Sequence, residues 1–136
     1  MQTIFESLYV SEFAADADPA EIANIVRVSR ANNLIAGLTG VLMFDGIHFC
    51  QLLEGVEDAV RQTMAKIAID ARHTQFQPLH EGLIGLKRRF DAWHVGILAP
   101  DGPSPLLPCT SLRGDAAVEH LMSVYRDSKQ FGMHVV

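Results

Sequence analysis

Polar and apolar residues alternate with the period of a strand over residues 3–11, placing Phe5, Ser7 and Tyr9 on one face and Ile4, Leu8 and Val10 on the other. Two further apolar runs, residues 38–44 and 47–53, flank Asp45-Gly46, a pair suited to the positive φ angles of a two-residue turn, and so predict a hairpin. With that turn Phe44 faces Ile47, Leu42 faces Phe49 and Gly40 faces Gln51, which leaves open volume beside the glutamine amide. Thr39, Val41, Met43, His48, Cys50 and Leu52 project to the opposite face. Both faces are mostly apolar, so both need a cover.

Asp18-Pro19-Ala20-Glu21 reads as a helix start, with an acidic N-cap, proline at the first helical position and glutamate three residues after the cap. Its apolar stripe, Ile22, Ile25, Val26 and Ser29, runs on to Asn32 and Asn33, and Gly37 ends it. Gly55 opens a second helix with Val56, Val60, Met64 and Ile67 at helical intervals and Asp70 one turn beyond. Residues 79–86 and 93–98 read as strands, joined through Lys87-Arg88-Arg89-Phe90-Asp91, whose basic triplet reads as a solvated strand end or turn. Residues 99–114 hold four of the six prolines, a composition expected neither to form a helix nor to pair. Asp115 caps a last helix whose stripe is Val118, Leu121, Met122 and Tyr125. The order predicts an α+β, ferredoxin-like βαββαββ sandwich over residues 1–98, a Pro-rich linker over 99–114, and a C-terminal helix over 115–136 that packs on the second sheet face or serves output.

At 136 residues, 49% of them hydrophobic, the chain is one domain with a substantial core. A net charge of -5 argues against nucleic acid as a primary partner. With no bilayer-length apolar run and no signal-peptide pattern, no membrane role is expected and the location expected is cytoplasmic. Cys50 and Cys109 form no metal or redox spacing, and the histidines lack paired-ligand spacing, so no metal is expected. No Gly-x-Ser-x-Gly, phosphate-cradling loop or defined acid pair points to an enzyme.

If the two helices pack on the face bearing Tyr9 and Gln51, the polar side chains of Tyr9, Asn32, Asn33 and Gln51 converge there. A buried polar group without a hydrogen bond costs roughly 1–3 kcal/mol, so four such groups cost about 4–12 kcal/mol, comparable with the ~5–15 kcal/mol stability of a whole domain. A planar ligand with a polar edge resolves the conflict, pairing the amides while Ile25 and Ile67 sandwich its faces. Asp70, Arg72 and His73 can form a rim or a solvated helix terminus. From the residues alone, two rivals stay open: an acylphosphatase-type ferredoxin-like enzyme, for which the loop after the first strand lacks an arginine-bearing anion cradle, and a protein-interaction module that holds no such ligand.

At these residues the chain closely resembles the BLUF family, blue-light sensors that use a flavin. The likeness runs from about Ile4 to Gly96 through Leu-Tyr-Val-Ser at 8–11, Ser-Arg-Ala-Asn-Asn at 29–33, Gly-Leu-Thr-Gly at 37–40, Phe-Cys-Gln-Leu-Leu-Glu-Gly at 49–55, Asp-Ala-Arg-His at 70–73 and Phe-Asp-Ala-Trp at 90–93. The resemblance implies a noncovalent flavin between the two helices: FAD, with FMN or riboflavin as alternatives. It implies Tyr9 as photochemical electron donor, Gln51 as hydrogen-bond switch, Asn33 on the polar ring edge with Asn32 nearby, and Asp70 and Arg72 lining the site. Trp93 and Val95 would relay the signal; Val95 stands where many members carry methionine, a departure that bears on output more than on photochemistry. The expected protein is a short, stand-alone, non-enzymatic receptor acting through a homo-oligomer or an unidentified downstream protein.

Overall fold

Alternation and turn chemistry produce a mixed sheet with helices on both faces. The computed structural model describes residues 2–98, 102–130 and 134–135. In chain order these form β1 (Ile4–Phe13), α1 (Glu21–Ala36), β2 (Thr39–Phe44), β3 (His48–Gly55), α2 (Glu57–Ala68), β4 (His73–Gly85), β5 (Trp93–Ile97), a 3₁₀ turn (Leu107–Ser111), α3 (Gly114–Gln130) and a two-residue β6 (His134–Val135). The strands lie in the order β4-β1-β3-β2-β5-β6. β2 and β5 run parallel, and the other neighbours are antiparallel.

The alternation read from β1 and the hairpin sorts the core into two layers. Phe5, Tyr9, Leu42, Phe44, Phe49, Leu53 and Val95 pack with Val60 and Met64 of α2. Leu8, Val10, Val41, Met43, Cys50 and Leu52 pack with Val118, Leu121, Val124 and Tyr125 of α3. The structure is the expected ferredoxin-like sandwich, with α3 covering its second face; the helix expected over 115–136 ends at Gln130, and His134–Val135 instead pair with β5 as an edge strand.

The hairpin register differs from the expectation. Phe44 pairs with Phe49, Leu42 with Gln51 and Gly40 with Leu53. Asp45 belongs to the strand end: its backbone N–H reaches the His48 carbonyl, and its Oδ1 accepts the N–H groups of Ile47 and His48. The turn residues are therefore Gly46, with φ 95°, and Ile47. Moving the turn by one residue shifts the pairing by two, which preserves the faces and changes only the partners. Gly40 makes no space for Gln51; its φ is 145°, and a Cβ there would lie 1.9 Å from the Leu52 carbonyl oxygen. Glycine is required by close backbone approach.

Asp18 closes a turn before α1, accepting the Ala20 N–H on its carboxylate and the Glu21 N–H on its carbonyl, so it is not the N-cap. Gly37 ends α1 in the left-handed conformation at φ 70°. Gly55 closes β3 and does not open α2, which leaves Val56 exposed ahead of the helix. β4 begins at His73, upstream of the expected residue 79, and stacks Phe76 on Tyr9 with centroids 4.8 Å apart. Asp115 lies in the first turn of α3, after Gly114, and does not precede it. Residues 99–101, 131–133 and 136, at which the expected linker and tail begin or continue, lie outside the described residues. The rest of the 99–114 segment is less featureless than its prolines suggest: it forms the 3₁₀ turn and buries Leu106 and Cys109 in the α3-side core. The basic triplet is exposed just beyond the end of β4, as expected, but it is also tied down: Arg88 bonds the Gly37 and Glu54 carbonyls and Arg89 bonds Glu6.

Candidate functional site

Between α1 and α2, above the sheet, lies a cleft whose deep end is lined by Tyr9, Ile25, Leu42, Phe49, Gln51, Ile67, Asp70, Arg72 and His73. Its outer part continues past Ser29, Asn32, Asn33, Thr63 and Lys66, enclosing about 1240 Å³ of space open to solvent. The helix that walls it is lightly packed: Asn33 is the one buried residue of α1, and the next two, Leu34 and Ile35, are 81% and 86% exposed.

Strand alternation explains the floor. Tyr9 and Gln51 are cross-strand partners on neighbouring strands, so they share a face. Gln51 Nε2 donates to the Tyr9 hydroxyl at 2.9 Å, and Trp93 Nε1 donates to Gln51 Oε1 at 2.9 Å. The indole N–H can only donate, so it must meet the amide oxygen, which turns the amide nitrogen toward Tyr9. Trp93 thereby sets the orientation of Gln51. Arg30 of α1 lies over the Trp93 ring, 5.4 Å from its centroid. Burial is the main force pushing the Tyr9 phenol well above its ordinary pKa, against the hydrogen bond from Gln51, which lowers it. Tyr9 is accordingly a neutral phenol throughout the physiological range.

The rim is ionic. Arg72 grips Asp70 through Nε at 3.0 Å and Nη2 at 2.6 Å, and its Nη1 reaches Glu21 Oε2 at 3.3 Å. The Arg72 hydrogen bond is the main force holding the Asp70 carboxyl below its usual range. Glu21 thus ties the start of α1 to the loop after α2, a partnership that its position near a helix start did not suggest. His73 faces the cleft with its ring bonded to Ser11 Oγ at 2.7 Å and to the Ile67 carbonyl.

Most expected residues meet here: Tyr9, Ile25, Gln51, Ile67, Asp70 and Arg72 at the deep end, Asn32 and Asn33 at the outer part. Asn32 is exposed and lies at the mouth, so it does not join the buried convergence. Trp93 reaches the site through Gln51, whereas Val95 is buried opposite Leu42 and also borders a separate groove between α1 and β5. Sequence reasoning missed Lys66 as a lining residue and the buried carboxylates Glu6 and Glu54; for Glu6 the signal was present, since alternation aligns it with Leu8 and Val10.

A flavin fits this donor set. The Asn33 side chain, 3% exposed, bonds no other described residue and lines the cleft, which leaves its donor and acceptor for a ligand edge. Ile25 and Ile67 supply apolar walls for a ring. Among the described residues no cluster of His, Cys, Asp and Glu could hold a metal ion.

Comparison with known proteins agrees with this chemistry. The family model described as "Sensors of blue-light using FAD" matches residues 4–96. The chain is 36% identical over 66 residues to the blue light- and temperature-regulated antirepressor BluF of Escherichia coli, a match covering 48% of this chain and 16% of that protein. It is 30% identical over 80 residues to the photoactivated adenylate cyclase subunit beta of Euglena gracilis, covering 59% of this chain and 9% of that one. The chain therefore spans only a small part of these curated relatives. Among solved structures, BlrB, described as a BLUF protein in its dark state, aligns with a TM-score of 0.74 at 30% identity, covering 94% of this chain and 98% of that one. Klebsiella pneumoniae BlrP1 with FMN and cyclic diGMP aligns at a TM-score of 0.63 and 29% identity, covering 71% of this chain and 26% of that chain. A cleft walled for a ring, floored by a phenol and an amide, and matched by the family model over most of the chain's length leads to one assignment: the chain belongs to the BLUF family of flavin-binding blue-light sensors.

Proposed function

We propose that the chain is a non-enzymatic, cytoplasmic blue-light receptor in which Tyr9 and Gln51 form the photochemical switch and Trp93 reports its state. The observation that carries this reading is the hydrogen-bonded chain Tyr9–Gln51–Trp93 at the cleft floor. The flavin, when bound, supplies blue-light absorption and the electron acceptor. Tyr9, neutral because it is buried, would give up an electron and its phenolic proton together, both to the flavin, since a phenol cation without water is costly. Gln51 carries donor and acceptor on one amide, and return of the electron and proton to Tyr9 leaves that amide in a different hydrogen-bonded arrangement. Any arrangement that turns the amide oxygen away deprives the Trp93 N–H of its acceptor, so the switch is felt in β5.

Asn33 holds the polar ring edge, Asn32 flanks the mouth, Ile25 and Ile67 sandwich the ring, and Asp70 and Arg72 close the deep rim. Cys50 and Cys109 lie in the core on the other side of the sheet, which favours noncovalent attachment. The family description favours FAD. Among the described residues no helix is long and apolar enough to cross a membrane. Output passes to a second copy or to a downstream protein through β5 and α3, as a shift between two arrangements of that region.

The deciding experiment is a light-minus-dark difference spectrum of flavin-loaded protein, wild type against Gln51→Leu and Tyr9→Phe. A reversible red shift that both substitutions abolish supports the assignment; a loaded Gln51→Leu protein with wild-type shift and recovery overturns it.

A further inference from the structure

Glu6 and Glu54 are 1% and 0% exposed and sit directly opposite one another on β1 and β3, on the face away from the cleft. Paired carboxylates inside a protein repel unless strong donors reach both. The donors come largely from the irregular loop between β4 and β5. Glu54 accepts the backbone N–H of Arg89 at 2.9 Å and of Phe90 at 2.8 Å, with the Thr39 hydroxyl as its third bond. Glu6 accepts Arg89 Nε at 2.9 Å on one oxygen, and its other oxygen lies 2.8 Å from His80 Nε2. The loop ends at Trp93, whose indole holds Gln51.

We propose that Glu6 and Glu54 are positioning residues for Trp93: they moor the β4–β5 loop so that the indole N–H stays on the Gln51 amide in the dark. The inference rests on the Tyr9–Gln51–Trp93 reading of the switch. Glu54 and Gln51 are three residues apart on β3 and therefore project to opposite faces, so one strand holds the indole from the cleft side and the base of its loop from the other. Strand pairing, with the Gly40 N–H on the Ala92 carbonyl at 3.1 Å, fixes the backbone just before Trp93. Two residues further back, where the chain has no ladder partner, Glu54 fixes the backbone of Arg89 and Phe90 and Glu6 holds the Arg89 side chain, and a side chain at the start of a strand takes its direction from both.

The test uses the chain's single tryptophan, which gives one indole N–H resonance in isotope-labelled, flavin-loaded protein kept dark. Glu54→Gln keeps the size but replaces one accepting oxygen with an NH2 group that opposes a backbone N–H. The expected result is retained flavin, indole N–H exchange with solvent about tenfold faster, as for one lost hydrogen bond, and an altered dark-recovery rate. Glu6→Gln should act in the same direction. A folded Glu54→Gln protein that is less stable but has wild-type indole exchange and recovery overturns the proposal, because a purely structural glutamate would behave that way. Should Glu54→Gln fail to fold, Arg89→Met decides in the same assay: it removes the bond from Nε to Glu6 while His80 stays on the other Glu6 oxygen, so faster indole exchange supports the mooring and wild-type exchange and recovery overturn it. A wild-type protein without a light-induced shift would end the switch reading while leaving the indole measurement able to judge the mooring.

Discussion

Gln51 serves two neighbours with one amide, and those neighbours are chemically unequal. The Trp93 N–H can only donate, whereas the Tyr9 hydroxyl can donate or accept, so Trp93 biases the amide toward one orientation. Trp93→Phe should retain flavin while freeing the amide, and the dark spectrum should move and the recovery rate change; wild-type values for both would show that the indole bond does not set the amide. Gln51→Leu keeps the bulk without either hydrogen-bonding function and should lose the red shift with flavin still bound. Asn33→Ala removes the side chain that the protein leaves for the ligand edge, and should weaken flavin binding by about 1–3 kcal/mol, roughly 5- to 150-fold in Kd by titration.

At the scale of elements, the hairpin and the ionic rim place these side chains. Gly40→Ala would drive a Cβ against the Leu52 carbonyl at a backbone angle that side chains avoid. Strain and overlap together should cost roughly 2–6 kcal/mol, read as a lowered denaturation midpoint. The rim has a pH signature. Asp70 titrates below the ordinary carboxylate value because Arg72 bonds its charged form, so its contribution is present above that value, about 3.9 in model peptides, and is lost as pH falls through the lower folded one. Flavin retention through Asp70 should therefore be flat at neutral pH and decline only in acid, and Asp70→Asn should remove that dependence while lowering affinity at neutral pH. Flavin fluorescence followed with far-ultraviolet circular dichroism separates release from unfolding.

Across the whole molecule, α3 and the cleft lie on opposite faces of the sheet. Truncation before Asp115 would uncover Leu8, Val10, Val41, Met43 and Leu52, an apolar surface large enough to drive association. The truncated protein should keep its light-induced shift while aggregating or changing oligomeric state by size exclusion. Normal assembly with lost photochemistry would contradict this division of the two faces.

Local periodicity was sufficient for the order of the first five strands and the three α-helices, the two faces of the sheet and the meeting of Tyr9 with Gln51, because side-chain direction along a strand follows from counting; the 3₁₀ turn and β6 escaped it. The BLUF resemblance added the flavin and the roles carried by its motifs. Register escaped that count: Asp45 carries both turn chemistry and a strand-end role, and its carboxylate, which also accepts the Leu106 N–H, favours the second. The partners of charged groups escaped as well. Arg72 with Glu21, Arg89 with Glu6 and Glu54 with the backbone of residues 89–90 join positions far apart in the chain, and no sequence period encodes such pairs. Only tertiary packing decides them, since a buried carboxylate must take whichever donors the fold brings within reach.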